Sequence, residues 1–497
     1  MNFDFENPFA DYGNIVRGER FIGRKESLKV IENRIIRPNE PGNLAIIGEP
    51  RIGKSSLVYK AIMEKKSELV KGNRFPVWLN LATYDKSSIF FRSLVTESLA
   101  ELENVDKISP RIQQAANKVF QDKMSWTEGY GKIQRYFEKI KNEGLHIIFI
   151  LDEFDHARYL FKGDISGFQG LRELSYRPEW RVTFVTTSRR SIRDIEMQTQ
   201  AISTFDGIFY KYYLGMFSDE DKIEYFAKFN SSITSLTCEA KEKIEYYCGG
   251  FPYILEMLGY EIIECYREKH RVDIDETVER IKQSLLDQYD RMIDLLKEDK
   301  SLNKLLQILF GPIIDILQTD IEQFLKYGLI ITLKDDVYQA FSKHFNEYLN
   351  IIERYIDIWP LWSETERKLR FVIAEILKGE YGIDWVNKLE KAQVKLKPIF
   401  DECKKLQLKE EKTFGNRASK DLLDFTYPRE LFSIIFSRWD IFKNIFGKDQ
   451  NYWNQRAELL SKVRNPLAHN RSQVINDYEK DIAEGYCKEI LSALLKF

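Results

Sequence analysis

The sequence predicts a multidomain chain of α/β and all-α parts, and three observations carry the prediction. Short apolar runs alternate with longer amphipathic stretches from about residue 44 to 217, a glycine-rich loop closes the first run, and the period turns helical from Ser218 onward. Alternation of that kind builds a doubly wound parallel sheet from strand, helix, strand units. A length of 497 residues fits about three domains at roughly 150 residues each.

Five runs read as buried strands: LAIIG (Leu44–Gly48), PVWLNLA (Pro76–Ala82), HIIFILD (His146–Asp152), VTFVTTS (Val182–Ser188) and FYKYYLG (Phe209–Gly215). They place the α/β core in residues 1–217. Ser218 and Asp221 have capping-box spacing and apolar residues then recur every three or four positions, so 218–298 reads as a helical lid. In 299–352, short helices lead to KYGLIITLKDDVYQAFSKHF, two β-rich stretches flanking a Lys-Asp-Asp turn, the pattern of a winged helix. Residues 353–497 read as a bundle of long helices, broken at Trp359-Pro360, Gly379–Gly382, Pro398, Phe414-Gly415 and Gly447.

Composition bounds the function. Hydrophobic residues at 43% and charged residues at 31% are globular values. Lys plus Arg (75) nearly balances Asp plus Glu (77), so no whole-protein field draws in nucleic acid or acidic membranes. Cys238, Cys248, Cys265, Cys403 and Cys487 have no CxxC spacing, which points to neither a zinc site nor a disulfide framework and fits a reducing compartment. The acidic, aromatic start MNFDFENPFADYGNIVRGERF lacks the layout of a signal peptide, and the apolar runs are far too short to span a bilayer. A soluble, cytoplasmic chain without a membrane partner is expected.

GEPRIGKSS, running from Gly48 through Gly53, Lys54 and Ser55 to Ser56, matches GxxxxGK[ST] between a strand and a helix-like stretch. Glycines let the backbone wrap phosphate oxygens, Lys54 neutralises the β and γ phosphates, and Ser55 ligates Mg²⁺. About 100 residues later HIIFILDEFD sets Asp152 and Glu153 at the carboxyl end of a strand, where such sheets present their ligands. Asp152 is the candidate metal ligand, holding the Mg²⁺ water shell, and Glu153 the group that orients or deprotonates the attacking water. Asp155 and His156 read as turn or cap residues. The next strand ends in TTSRR. There one of Thr187, Ser188 and Arg189 is placed to sense the γ phosphate; Ser188 reads equally as a structural cap, and Arg189 or Arg190 as a surface cation or a finger reaching a neighbouring subunit.

With these motifs in place, the region from about residue 15 to 350 resembles the STAND branch of the AAA+ ATPases. FIGRKESL, with Phe21, Gly23 and Arg24, is similar to the hhGRxxEL stretch that lies beside the nucleotide in that family, and CGGFPYIL to its GGxP lid element. The resemblance implies ATP and ADP as ligands with Mg²⁺, Pro252 packed near the adenine, and a winged helix after the lid. DNA is not expected as a partner, because residues 301–350 hold four Lys, no Arg and six acidic residues.

SKVRNPLAHNR carries Arg464, Asn465 and His469. It resembles the RNxxxH signature of HEPN domains, and ETERKLRFVIAEILKGEYGIDW (Glu364–Trp385), LLDFTYPREL and the aromatic run to Trp453 extend the likeness over 360–497. The resemblance implies metal-independent RNA cleavage by motifs paired across at least a dimer. His469 would move the proton, Arg464 would stabilise the phosphorane charge and Asn465 would orient the histidine or a phosphate oxygen. Lys404–Arg471 holds 14 Lys and Arg against eight Asp and Glu, a local excess suited to RNA. The expected function is an ATP-gated endoribonuclease of prokaryotic defence or toxin type, triggered by a partner protein or by RNA. The alternative is a nucleotide-switched scaffold whose HEPN domain only dimerises or binds a partner.

Overall fold

The computed structural model describes residues 6–120, 126–199, 204–233, 236–311, 316–333, 337–356, 359–468 and 475–495. The chain divides into two compact units, Met1–Asn350 and Ile351–Phe497.

The first unit is built on a parallel sheet of five strands: β1 (Asn43–Ile47), β2 (Arg74–Asn80), β3 (His146–Asp152), β4 (Thr183–Ser188) and β5 (Phe209–Tyr213). Their order is β2-β3-β4-β1-β5, so the chain steps outward from β1 to β2, returns through β3 and β4, and then crosses β1 to reach β5. That reversal places the carboxyl ends of β1, β3 and β4 side by side, the position where open α/β sheets take ligands. Every residue of β1, β3 and β4 is buried. Strands covered on both faces carry continuous apolar runs, and this is why the sequence marks them so clearly. Pro76 lies inside β2 without breaking the sheet because β2 is an edge strand.

His146 opens β3 at the opposite end of the sheet. It is 6% exposed, and its Nε2 lies 2.8 Å from Thr183 Oγ1. The Thr183 hydroxyl donates its one proton to Pro41 O at 3.0 Å, so Nε2 must be the donor in that pair, leaving the buried Nδ1 lone pair without a partner among the described residues.

After β5 the chain becomes helical. Helix Asp219–Lys228 starts with a reciprocal capping box, Ser218 Oγ accepting from Asp221 N–H at 3.2 Å and Asp221 Oδ2 accepting from Ser218 N–H at 3.0 Å. Helices Cys238–Cys248, Pro252–Lys269 and Ile274–Glu298 follow. The Gly249 turn between the first two has φ 53° and ψ −126°, and a Cβ added there would lie 1.8 Å from Phe341 O. Only glycine fits such backbone contact. Helices Leu302–Phe310 and Gln318–Tyr327 precede an antiparallel pair, β6 (Ile330–Thr332) and β7 (Tyr338–Ala340). The expected Lys-Asp-Asp turn, residues 334–336, lies outside the described residues.

The second unit is all-helical among its described residues, with long helices Trp359–Tyr381, Lys397–Phe414, Gln450–Ala468 and Asp477–Leu494 and shorter ones at Trp385–Ala392, Pro428–Ser437 and Trp439–Phe446. Trp362, Leu377, Phe400, Phe432 and Trp453 anchor its core, and the Phe432 and Trp453 rings stack 6.1 Å apart. Across the described residues no helix is long and apolar enough to cross a membrane.

Burial, helped by Lys141 and Arg181, pulls His146 down to about 4. Because the folded value lies below the unfolded one, the stabilisation is complete above about pH 6.5 and drains away as pH falls toward 4, by about 3 kcal/mol in all. Chemical denaturation across that range should show this acid loss in the wild type and a shallower one in His146→Gln.

Candidate functional site

The loop after β1 passes close beneath its neighbours. Gly48 N–H donates to Ser188 O at 3.1 Å, and a Cβ on Gly48 would sit 2.4 Å from Leu214 O, so a side chain is excluded. Gly53 has φ 96° and caps the helical stretch that begins with Lys54–Val58. The Lys54 ammonium folds back into the loop and donates to Gly48 O and Glu49 O, each at 2.9 Å. Burial lowers its pKa, while Asp155, Glu153, Glu49 and Asp152 act against the shift.

Asp152, at the end of β3, is 7% exposed. Its Oδ1 accepts from Ser55 Oγ at 2.9 Å and also from Thr187 Oγ1 of β4. One carboxylate thus joins the ends of β3 and β4 to the loop after β1. Glu153, the next residue, turns away in the left-handed region at φ 55°. Partial desolvation and the Asp152 carboxylate raise its pKa, with Lys54 opposing. The hydroxyl and carboxylate oxygens of Ser55 and Asp152 form a hard donor set of the kind Mg²⁺ takes when phosphate and water complete its shell.

A cavity of about 740 Å³ is walled by Gly53, Lys54, Ser55, Ser56, Glu153, Arg189 and Pro252 among others, while Gly48 and Asp152 do not line it. Ser56 Oγ accepts from Val16 N–H at 3.0 Å, tying the N-terminal segment to the wall. Ser188 does not line the cavity; its buried hydroxyl donates to Arg190 O at 2.7 Å and shapes the turn after β4. Asp155 accepts from the Arg189 and Arg190 N–H groups of the same turn.

Several wall residues have no counterpart in the sequence reading. Tyr12 to Val16, Arg51, Arg158, Tyr253, Glu256 and Leu295 come from five separate stretches of chain. Arg51 lies 4.1 Å over the Tyr253 ring. Glu256 is buried and holds Lys228 Nζ at 2.7 and 2.8 Å. The arginines converge on the end of helix Ile274–Glu298: Arg158 and Arg190 reach Glu298 at 2.8 and 3.2 Å, Arg190 reaches Asp299 at 2.7 Å, and Arg189 also meets Asp299 while lying 3.3 Å from Glu49. A signal exists for Arg189 and Arg190 at a strand end, but none in spacing marks the rest.

Phe21, Gly23 and Arg24 stand apart from the cavity wall. Gly23 N–H donates to Glu224 Oε2 at 2.7 Å. Arg24 is a buried clamp whose guanidinium donates to Gly215 O at 2.8 Å, Met216 O at 3.1 Å and Ile52 O at 3.0 Å, while its backbone N–H donates to Asp221 Oδ1 at 2.7 Å. Burial brings its pKa down to about 10, with Asp221 opposing. It fixes the loop after β1 from behind.

In the second unit, Arg464 sits on helix Gln450–Ala468 with its guanidinium 4.5 Å from the Tyr427 ring centre and Nε 3.5 Å from Glu366 Oε1. Glu366 is itself buried and accepts from Trp362 Nε1 and Arg370 Nη2, each at 2.9 Å. The backbone of Asn465 lies on the same helix. Its side chain and all of His469 lie outside the described residues.

No protein-family model matches the chain, and no curated protein does. Solved structures do match. They include the Walker-type ATPase PABY2304 of Pyrococcus abyssi, at 16% identity and TM-score 0.41, covering 70% of this chain and 100% of that one. The ORC2 protein of Aeropyrum pernix matches at 11% and 0.39, covering 68% and 97%, and CDC6P of Pyrobaculum aerophilum at 14% and 0.39, covering 70% and 97%.

Arg24→Ala strands three carbonyls from two segments and should destabilise the first unit by about 3 kcal/mol or more, read as a lower unfolding midpoint. Arg24→Lys should recover little of it, since an ammonium cannot span the three acceptors.

Proposed function

We propose that this chain binds and hydrolyses Mg²⁺-ATP in the cavity at the ends of β1, β3 and β4. The observation that carries the reading is the Asp152 carboxylate accepting from Ser55 of the loop, with Lys54 and Glu153 beside it. Arg51, Lys54, Arg158, Arg189 and Arg190 outnumber Glu153, Asp155 and Glu256 around the wall, a balance that suits a triphosphate. Ser55 and Asp152 would hold the Mg²⁺, whose charge serves to neutralise the phosphates. Lys54 binds phosphate oxygens, and Glu153, its carboxyl already made more basic, takes a proton from the attacking water. Pro252 and Tyr253 supply an apolar and aromatic wall for the adenine.

The finer reading is that nucleotide state gates RNA cleavage by the C-terminal unit within a homo-oligomer, as a defence or toxin-type effector. The Arg464, Asn465 and His469 spacing and the basic balance of Lys404–Arg471 support it. A second reading has its own support: Arg464 lies against Glu366 and Tyr427, contacts that suit a scaffold in which the arginine organises a binding face.

Calorimetry should find no ATP uptake by Lys54→Ala. Glu153→Gln should keep its uptake while turnover falls by about 10²- to 10⁴-fold; undiminished turnover removes Glu153 as the base. Wild type incubated with RNA and ATP should cut it and His469→Ala should not. Intact RNA with both proteins under every nucleotide condition establishes the scaffold.

A further inference from the structure

The C-terminal unit contains a second cavity, about 350 Å³, that the nucleotide reading does not use. It lies between the end of helix Lys397–Phe414, the segment Asp424–Tyr427 and Arg464. Two large rings line it while staying out of the core: Phe414 is 53% exposed and Tyr427 42% exposed. Phe400, on the same helix as Phe414, and Leu431, on the helix that Tyr427 caps, are fully buried. Phe414 and Tyr427 therefore contribute little to packing, and flat rings on a concave wall present faces for stacking.

Arg464 adds a cation to the same wall. Its guanidinium covers the Tyr427 ring, and its buried Nε makes no hydrogen bond among the described residues although it lies 3.5 Å from Glu366 Oε1. Lys409 lines the cavity too and is exposed. With Lys412, Arg417 and Lys420 farther along the same stretch, it makes no ion pair among the described residues, whereas Lys404 and Lys405 pair with Glu390 and Glu402 at 2.8 and 3.2 Å. Two carboxylates, Glu410 and Asp424, also line the wall; they accept from Ser419, behind it, Glu410 from the N–H at 3.4 Å and Asp424 from Oγ. Rings, a stacked guanidinium and a line of unpaired cations together match one ligand class: a flat base carried on a polyanionic backbone.

We infer that this cavity is a base-binding subsite for single-stranded RNA, seating one unstacked base against Tyr427 and Phe414 while Lys409 and the cations beyond it follow the phosphates. A duplex is excluded by the geometry of stacking, because a paired base has no free face. The inference rests on the RNA reading of the C-terminal unit and assigns the rings to binding, not to the chemical step.

The test uses the full chain and a fluorescent, uncleavable 2′-O-methyl oligonucleotide in an anisotropy titration, with cleavage of unmodified RNA followed in parallel. Tyr427→Ala should raise Kd about 10-fold, within the range of roughly 5- to 150-fold expected from losing one stacked base, and Phe414→Ala should act in the same direction. Tyr427→Phe, which keeps the ring, should stay within about 2-fold of wild type, and Lys409→Gln should flatten the salt dependence of binding. Thermal unfolding and ATP uptake certify each variant's fold; should Tyr427→Ala melt early, Phe414→Ala carries the test. Ring-dependent binding without cleavage supports the subsite and removes only the nuclease. Both alanine variants binding like wild type overturn the subsite even where wild type cuts RNA. A deoxyoligonucleotide or a duplex binding as tightly overturns the single-stranded RNA assignment, and a wild type that neither binds nor cuts RNA removes the RNA reading and the subsite with it.

Discussion

One carboxylate oxygen holds the working end of the sheet together. Asp152 Oδ1 accepts from hydroxyls on two sides, Ser55 from the loop after β1 and Thr187 from β4. An ionised carboxylate buried at 7% exposure is costly unless its lone pairs are used. Satisfying it fixes the spacing of three chain segments at once, and Arg24 supplies the matching restraint from the far side by gathering carbonyls of the loop and of the chain after β5. The cavity is therefore formed by the fold rather than by a ligand, which is the preorganisation that phosphate chemistry depends on.

The arginines around that cavity obey a second constraint. Arg158, Arg189 and Arg190 are largely buried, and their charges are answered by Glu298 and Asp299 at the end of one helix and by Glu49 in the loop. Tyr327, from the helix before β6, donates to Arg189 O at 2.9 Å. The end of helix Ile274–Glu298, the helix before β6 and the turn after β4 thus share one electrostatic cluster, in which a change at any member is felt by the others.

The parallel sheet was legible because β1, β3 and β4 are buried on both faces and so carry unbroken apolar runs; the runs and the observed strands differ by no more than two residues at any end. The loop was legible because Gly48, Gly53, Lys54 and Ser55 fall at fixed spacing within one short stretch. Tyr12 to Val16, Arg51, Arg158, Tyr253 and Glu256 were not, because the cavity gathers them from stretches with no common spacing. Phe21, Gly23 and Arg24 were placed beside the nucleotide by resemblance alone, and Arg24 meets backbone carbonyls instead. Nothing in a linear pattern distinguishes an arginine that faces phosphate from one that faces carbonyl oxygens. Phe414 and Tyr427 escaped for a related reason: an aromatic at the end of an amphipathic helix or just before one reads as core until its exposure is known.

The Gly249 turn touches Phe341 through bare backbone. Side chains can slide or change rotamer to absorb a displacement, but two main chains in contact have no such slack. The helices on either side of Gly249 and the hairpin beyond them are consequently geared together, so that a tilt in one is delivered to the other as motion rather than lost as local repacking.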